Sequence, residues 1–144
     1  VPAMMDKDMW VEMLRAAGSS LPAVRADVTQ LGFADASFDV VVSFETLEHV
    51  EASPYLEEIF RVLRPSGLLF VSTPQNSLGH IPVNAQHLRE YALAELTALL
   101  SRRFAIEEII GIKQGRVVVP GDPLGQNTVA ICRKPGLTAK ETRP

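Results

Sequence analysis

Apolar positions in this chain cluster in short unbroken runs separated by one amphipathic stretch. From Asp27 to Asn76 the chain reads DVTQLGFADASFDVVVSFETLEHVEASPYLEEIFRVLRPSGLLFVSTPQN. The runs FDVVVSF and GLLFVST are rich in Val, Leu and Phe and do not alternate with polar residues, the pattern of parallel strands covered on both faces. Between them Leu56, Ile59, Phe60 and Leu63 recur at helical spacing. Ser53 suits the N-cap of that helix and Pro54 its first position, and Pro65 with Gly67 stops it. A β-α-β unit follows, with Val40–Val42 and Leu69–Val71 as adjacent parallel strands joined by a right-handed crossover in an open α/β sheet.

The flanks are less regular. Met4, Met5, Trp10, Met13 and Leu14 fit a helix running through Ala17 and ended by Gly18. Pro22–Asp27 predicts a short strand, and a turn-rich loop with Gly32 and Asp35 follows. Glu45–Glu51 predicts a loop or a helical turn. Pro74–Gln86 is a loop broken by Pro74, Gly79 and Pro82. Tyr91–Arg103 predicts a helix with Leu93, Leu96, Leu99 and Leu100 on one side, and Ala105–Ile110 a strand. Gly111–Gln126 is irregular apart from Val117–Val119, and Thr128–Cys132 is the last strand. Arg133–Pro144 is polar and expected to fray. The division is one domain over residues 1–134 and a polar tail over 135–144.

Composition narrows the function classes. A chain of 144 residues with 47% apolar and 22% charged content is an ordinary single globular domain. A net charge of −3 offers no basic footprint for nucleic acid or an anionic membrane. No apolar run reaches the roughly 20 residues of a membrane span. The opening VPAMMDKDMW carries acids where a signal peptide has its apolar core, so a cytoplasmic location is the expectation. The single cysteine, Cys132, lies in an apolar run and reads as a buried, inert thiol.

Three motifs stand in order: Asp27, Leu31, Phe33, Asp35, Ser37, Phe38 and Asp39; then Leu47, Glu48, His49 and Val50; then Arg61–Pro65, Gly67 and Leu68. Each is weak alone. Together, over residues 23 to 110, they resemble the C-terminal part of a class I S-adenosylmethionine-dependent methyltransferase, in the branch of types 11 and 23. The resemblance implies a Rossmann-like α/β sheet, mostly parallel with an antiparallel last strand. It implies S-adenosyl-L-methionine as cofactor and S-adenosylhomocysteine as product.

The resemblance also implies a site. Asp27 would accept the adenine amine while the Val28 N–H meets a ring nitrogen, an acceptor beside a donor, with Thr29 alongside. An Asx turn is the structural alternative for Asp27. Phe44 and Glu45 would pass the cofactor at the next strand end, and Asp6 or Asp8 would be the acid after the second strand. His49 is a candidate base, since an imidazole titrates near neutral pH; a structural role in fastening its loop, or one on the cofactor side, is the alternative that the resemblance favours. The segment PQNSLGHIPVNAQHLREY is the acceptor-side candidate, through Asn76, Asn84, His87 and Tyr91, with His87 a second candidate base; His87 and Glu90 capping the next helix is its alternative. His80 reads as a solvent-exposed loop histidine. The spacing of His49, His80 and His87 suggests no metal site.

One departure matters. None of the nine glycines forms a Gly-x-Gly pair, so the loop that lets a backbone approach the cofactor's charged end is expected to be missing, together with the family's first strand. Weak cofactor binding by these residues alone follows, as does homodimerisation through an uncovered sheet edge. The function expected is methyl transfer to a small-molecule or glycan-type acceptor, at oxygen. The alternative is a catalytically silent binding or assembly module of the same fold.

Overall fold

The computed structural model describes residues 16–18, 20, 22–76, 84–113, 116–117 and 126–137. Among them one mixed sheet has the order β1-β2-β5-β3-β4. Strand β1 (Phe38–Phe44) leads through a 3-10 turn (Leu47–His49) into helix α1 (Ala52–Val62), and β2 (Leu63–Pro74) follows directly. Helix α2 (Leu93–Leu100), β3 (Ala105–Lys113), β4 (Arg116–Val117) and β5 (Asn127–Arg133) complete the order. Strands β1 and β2 pair in parallel, with Val41 opposite Leu69 and Ser43 opposite Val71. Strand β5 lies antiparallel between β2 and β3, so β1, β2 and β3 share one direction. The β-α-β unit and the antiparallel last strand are as the sequence implies.

Helix α1 begins one residue before Ser53. Glu51 occupies the N-cap without a side-chain bond, so the expected Ser53 cap is not made. The stop at the other end is sharp. Leu63 turns to φ −72°, ψ 137° and starts β2 at once. The strand register then shifts between Phe38 and Val40, which absorbs residues 64–67. Gly67 is required at this point, because a Cβ there would stand 2.9 Å from the Arg64 carbonyl oxygen and 3.0 Å from that of Asp39. Helix α2 is shorter than the leucine pattern suggests, and at its start the Glu95 carboxylate reaches back to accept from the N–H of the N-cap residue Ala92 at 3.1 Å.

The core lies on one face of the sheet. Tyr55, Leu56 and Ile59 of α1 and Leu96 and Leu100 of α2 bury Leu69, Val71, Ala130 and Cys132. On the opposite face Val40, Val42 and Phe44 are 48%, 58% and 57% exposed. Coverage of both faces, expected from the unbroken apolar runs, is thus met on one face among the described residues.

Two other expectations change. Residues 22–26 are exposed and form no ladder; only Asp27 makes an isolated bridge, to Gln30. The apolar content of Pro22–Asp27 is too small to hold a strand without a neighbour to share its backbone bonds. Strand β3 runs three residues past Ile110, because its partner β5 continues to Asn127 opposite Ile112. The start of the tail is tied down: the Lys134 amine donates to the carbonyls of Phe60 and Leu63, both at 2.7 Å. Gly18, at φ 77°, stands where the sequence ends its first helix, and Ala16 is helical. The remainder of that helix, with Asp6 and Asp8, lies outside the described residues, as does His80.

Candidate functional site

Crossover topology brings the chain's polar loops to the C-terminal ends of β1 and β2, where open α/β sheets bind ligands. Asp27 sits in an Asx turn: its Oδ1 accepts from the Thr29 N–H at 2.8 Å and the Thr29 hydroxyl at 2.7 Å, and its carbonyl accepts from Gln30. The turn delivers Val28 to a cleft of about 370 Å³ shared with Leu31, Phe44, Thr46, Tyr55 and Ile59. The loop is clamped from below by Arg61. Its guanidinium donates to the carbonyls of Leu31 and Phe33 at 2.9 and 2.8 Å, to Asp35 at 2.7 Å and to Glu58 at 2.6 and 3.0 Å. That bonding holds the Glu58 carboxyl below its ordinary value and raises Arg61 further. Arg64 grips both oxygens of Asp39 at 2.8 and 2.7 Å. The two arginines of the RVLRP motif therefore fasten the Leu31–Asp39 segment, Arg61 to α1 and Arg64 to the start of β2.

Glu45 ends β1 at φ 50°, a left-handed conformation that non-glycine residues seldom adopt. The surroundings enforce it. Its N–H donates to the Ser72 carbonyl at 3.1 Å, and its carboxylate accepts from the Ser72 hydroxyl and the Asn127 amide, each at 2.7 Å. Outliers held this firmly concentrate at functional sites. The sharp turn sends the chain over the strand ends and into the 3-10 turn.

There Glu48 is 1% exposed, its Oε2 accepting from the Thr73 hydroxyl at 2.9 Å. Its own carbonyl accepts from the N–H groups of Leu88 and Arg89 at 2.7 and 3.2 Å, which docks the 84–90 loop on the turn. The docking sets His87 against His49, edge to face, with ring centroids 4.8 Å apart. His87 Nδ1 lies 2.7 Å from the Glu90 carboxylate, and His49 Nδ1 lies 3.1 Å from the Gln86 carbonyl. Asn84 bonds the Gln86 N–H through Oδ1 at 2.9 Å, and its Nδ2 stands 3.3 Å from His87 Nε2. Asn76 and Tyr91 are both buried and joined by a backbone bond of 3.0 Å.

Of the residues picked from the sequence, Val28 shares a cleft with Phe44, and His49 stands beside His87 and Asn84. Asp27 and Thr29 are bonded to each other in the turn that carries Val28, and Glu45 lines a separate cavity with Ser72 and Asn127. Sequence reasoning missed Glu48 as an interior carboxylate and Arg61 as the clamp. The signal for Glu48 was its place between Leu47 and His49 in a turn that has to pack on the core. Cys132 is buried, and burial pushes its thiol up to about 12, too high for a nucleophile. A second cavity, of about 590 Å³, lies between Phe60 and Leu137, but Arg61, Arg103 and Lys134 on its wall are already bonded to acids or carbonyls.

A methyltransferase-domain family of type 11 matches residues 4–71. A probable S-adenosylmethionine-dependent methyltransferase of Mycolicibacterium smegmatis is 42% identical over 95 residues, which cover 62% of this chain and 37% of that protein. Over residues 4–71 the chain is thus similar in sequence to class I S-adenosylmethionine-dependent methyltransferases. It is also similar to a demethylmenaquinone methyltransferase of Mycolicibacterium vanbaalenii, at 41% identity over 99 residues, 65% of this chain and 41% of that one. The chain thus spans about two fifths of the curated relatives it matches. Among solved structures, a Burkholderia thailandensis 1,6-didemethyltoxoflavin-N1-methyltransferase bound to S-adenosylhomocysteine is 26% identical with a TM-score of 0.65, covering 88% of this chain and 56% of that one. A methyltransferase of Thermotoga maritima shares the fold at TM-score 0.73 and 19% identity, covering 88% of this chain and 70% of that one.

Proposed function

We propose that this chain supplies the adenine side and the acceptor side of an S-adenosylmethionine-dependent methyltransferase. The acceptor is a small molecule or glycan-type compound, and the atom methylated is oxygen. The observation that carries the reading is the cleft in which Val28 and Phe44 meet, one turn of chain away from the His49–His87 pair. Its walls are apolar enough to take a flat purine, and the Asp27 carboxylate, on the turn that carries Val28, is an acceptor of the kind an adenine amine needs. The relatives named for demethylmenaquinone and for 1,6-didemethyltoxoflavin support a small ring-bearing acceptor.

S-adenosylmethionine brings an already activated methyl group, which leaves the protein to orient the partners and move a proton. Asp27 and Val28 orient the adenine. Glu45 fixes the path of the chain across the strand ends. His49, half exposed, takes the proton from the acceptor hydroxyl, with His87 behind it. No helix among the described residues is long and apolar enough to cross a membrane, and a cytoplasmic location accompanies the proposal. So does self-association through the open edge of β1.

The test is transfer of a labelled methyl group by the protein that carries this chain, across a panel of phenols, sugars and quinols. Label appearing on acceptor oxygen supports the reading. Label on carbon or nitrogen alone would replace the O-methylation part. Retained S-adenosylhomocysteine binding with no transfer to any acceptor would favour the silent binding module.

A further inference from the structure

Glu48, His49 and His87 each offer one ligand atom, and the three atoms lie within 4.8 Å of one another. The spacing of the histidines along the chain suggests no metal site, because His87 is remote from the Glu48–His49 pair until the 84–90 loop docks on the Glu48 carbonyl. We propose that these three side chains form a binding site for a divalent transition-metal ion, with zinc the ion that the donor set fits best.

Three separate contacts prepare the donors. A metal-ligating histidine usually gives its second ring N–H to a carboxylate or a backbone carbonyl, which fixes the tautomer. Both arrangements occur here. The Glu90 carboxylate stands at His87 Nδ1 and the Gln86 carbonyl at His49 Nδ1. The Nδ1–H tautomer that each acceptor favours leaves a lone pair on Nε2 of both rings. The Thr73 hydroxyl occupies Oε2 of the buried Glu48, and Oε1 lies 3.8 Å from His49 Nε2. Two imidazoles and a carboxylate are a zinc-type set that leaves a coordination position for water or an acceptor oxygen.

The donors are slightly too far apart for immediate coordination. Zinc–nitrogen bonds of about 2.0–2.1 Å put tetrahedral ligands roughly 3.4 Å apart, so the widest pair has to close. His49 is the side chain free to do so, at 43% exposure against 11% for His87 and 1% for Glu48. The long contact from Asn84 Nδ2 to His87 Nε2, 3.3 Å, is the bond a metal displaces, and Asn84 keeps its Gln86 bond. The site stands on this geometry alone. An imidazole has one lone pair, so His49 bound to zinc through Nε2 does not act as the base, and the loaded site and that role are alternative states of one side chain.

The experiment is titration of the full, metal-stripped chain with zinc by calorimetry, and with cobalt(II) followed in the visible spectrum. One equivalent should bind. Cobalt should give the intense bands of a four- or five-coordinate site rather than the weak spectrum of the hexaaqua ion. Excess zinc should raise the melting temperature. His49→Gln, on an exposed side chain, should keep the fold and weaken zinc at least tenfold; His87→Gln should do the same if it folds. Absence of binding, a hexaaqua-like cobalt spectrum, or affinity unchanged in His49→Gln overturns the proposal.

Discussion

His87 stacks edge to face on His49, with ring centroids 4.8 Å apart; the Glu48 carbonyl, accepting from Leu88 and Arg89, and the Gln86 carbonyl at His49 Nδ1 hold the two together. The buried Glu48 side chain anchors the arrangement through Thr73. Thr73→Val removes the donor and leaves a buried carboxylate oxygen short of a partner. A loss of about 1–3 kcal/mol is expected. Urea unfolding of the variant checks it, and an unchanged midpoint would mean that Glu48 is held by its other contacts.

Gly67 is wedged between the Arg64 and Asp39 carbonyls. Gly67→Ala forces one of those backbones aside, at the start of β2 where the register shifts. Overpacking of this kind costs about 1–3 kcal/mol. The loss should appear in the melting temperature, and Gly32→Ala, where a Cβ meets nothing within 4 Å, should show a much smaller effect.

The Arg61–Glu58 pair gives a pH signature. Hydrogen bonding to Arg61 lowers the Glu58 carboxyl from its ordinary 4.5. Between the ordinary and the lowered value the unfolded chain binds more protons than the folded one, so stability rises with pH there. The contribution is fully present above pH 4.5 and is lost as pH falls through the lowered value. Glu58→Gln should flatten the acid limb of a stability–pH profile and leave its shape above pH 6 unaltered. A limb as steep as the parent's would assign the acid sensitivity elsewhere.

How much of this was legible in the sequence differs by element. FDVVVSF and GLLFVST became paired parallel strands because an unbroken apolar run with a helix of matching length between two copies has few other ways to bury itself. The Ser53 cap failed because local preference cannot override where Tyr55, Leu56 and Ile59 have to face the sheet, which starts the helix one residue sooner. Pro22–Asp27 is a strand only if something pairs with it, and strand pairing is not a local property. The candidate site was half legible. His49 and His87 were picked one by one from their types, but their meeting depends on a backbone bond to Glu48 that no periodicity encodes.

Among the described residues β1 is an edge strand, and Val40, Val42 and Phe44 on it expose apolar surface, a combination that recruits partners. The chain is expected to sediment as a dimer or larger at micromolar concentration. Val42→Lys should shift it towards monomer without lowering its melting temperature by more than a few degrees. A monomeric parent chain would show that this face is already covered.

Asp27→Ala removes both Thr29 bonds and the acceptor proposed for the adenine amine. Cofactor affinity in the protein that carries this chain should fall on the order of tenfold, the loss of one charge-assisted hydrogen bond. Asp27→Asn keeps an Asx-turn acceptor and separates the two effects: restored affinity would assign Asp27 to the turn alone.

The central claim is that the cleft between Val28 and Phe44 is the adenine side of a cofactor site. Amide chemical-shift mapping of the isotope-labelled chain with S-adenosylhomocysteine, carried to millimolar concentration, tests it most directly and detects even weak binding. The expected result is a saturable shift confined to Asp27, Val28, Thr29, Phe44, Glu45 and their immediate neighbours. Shifts concentrated at the Phe60–Leu137 cavity, or none at millimolar ligand, would contradict it.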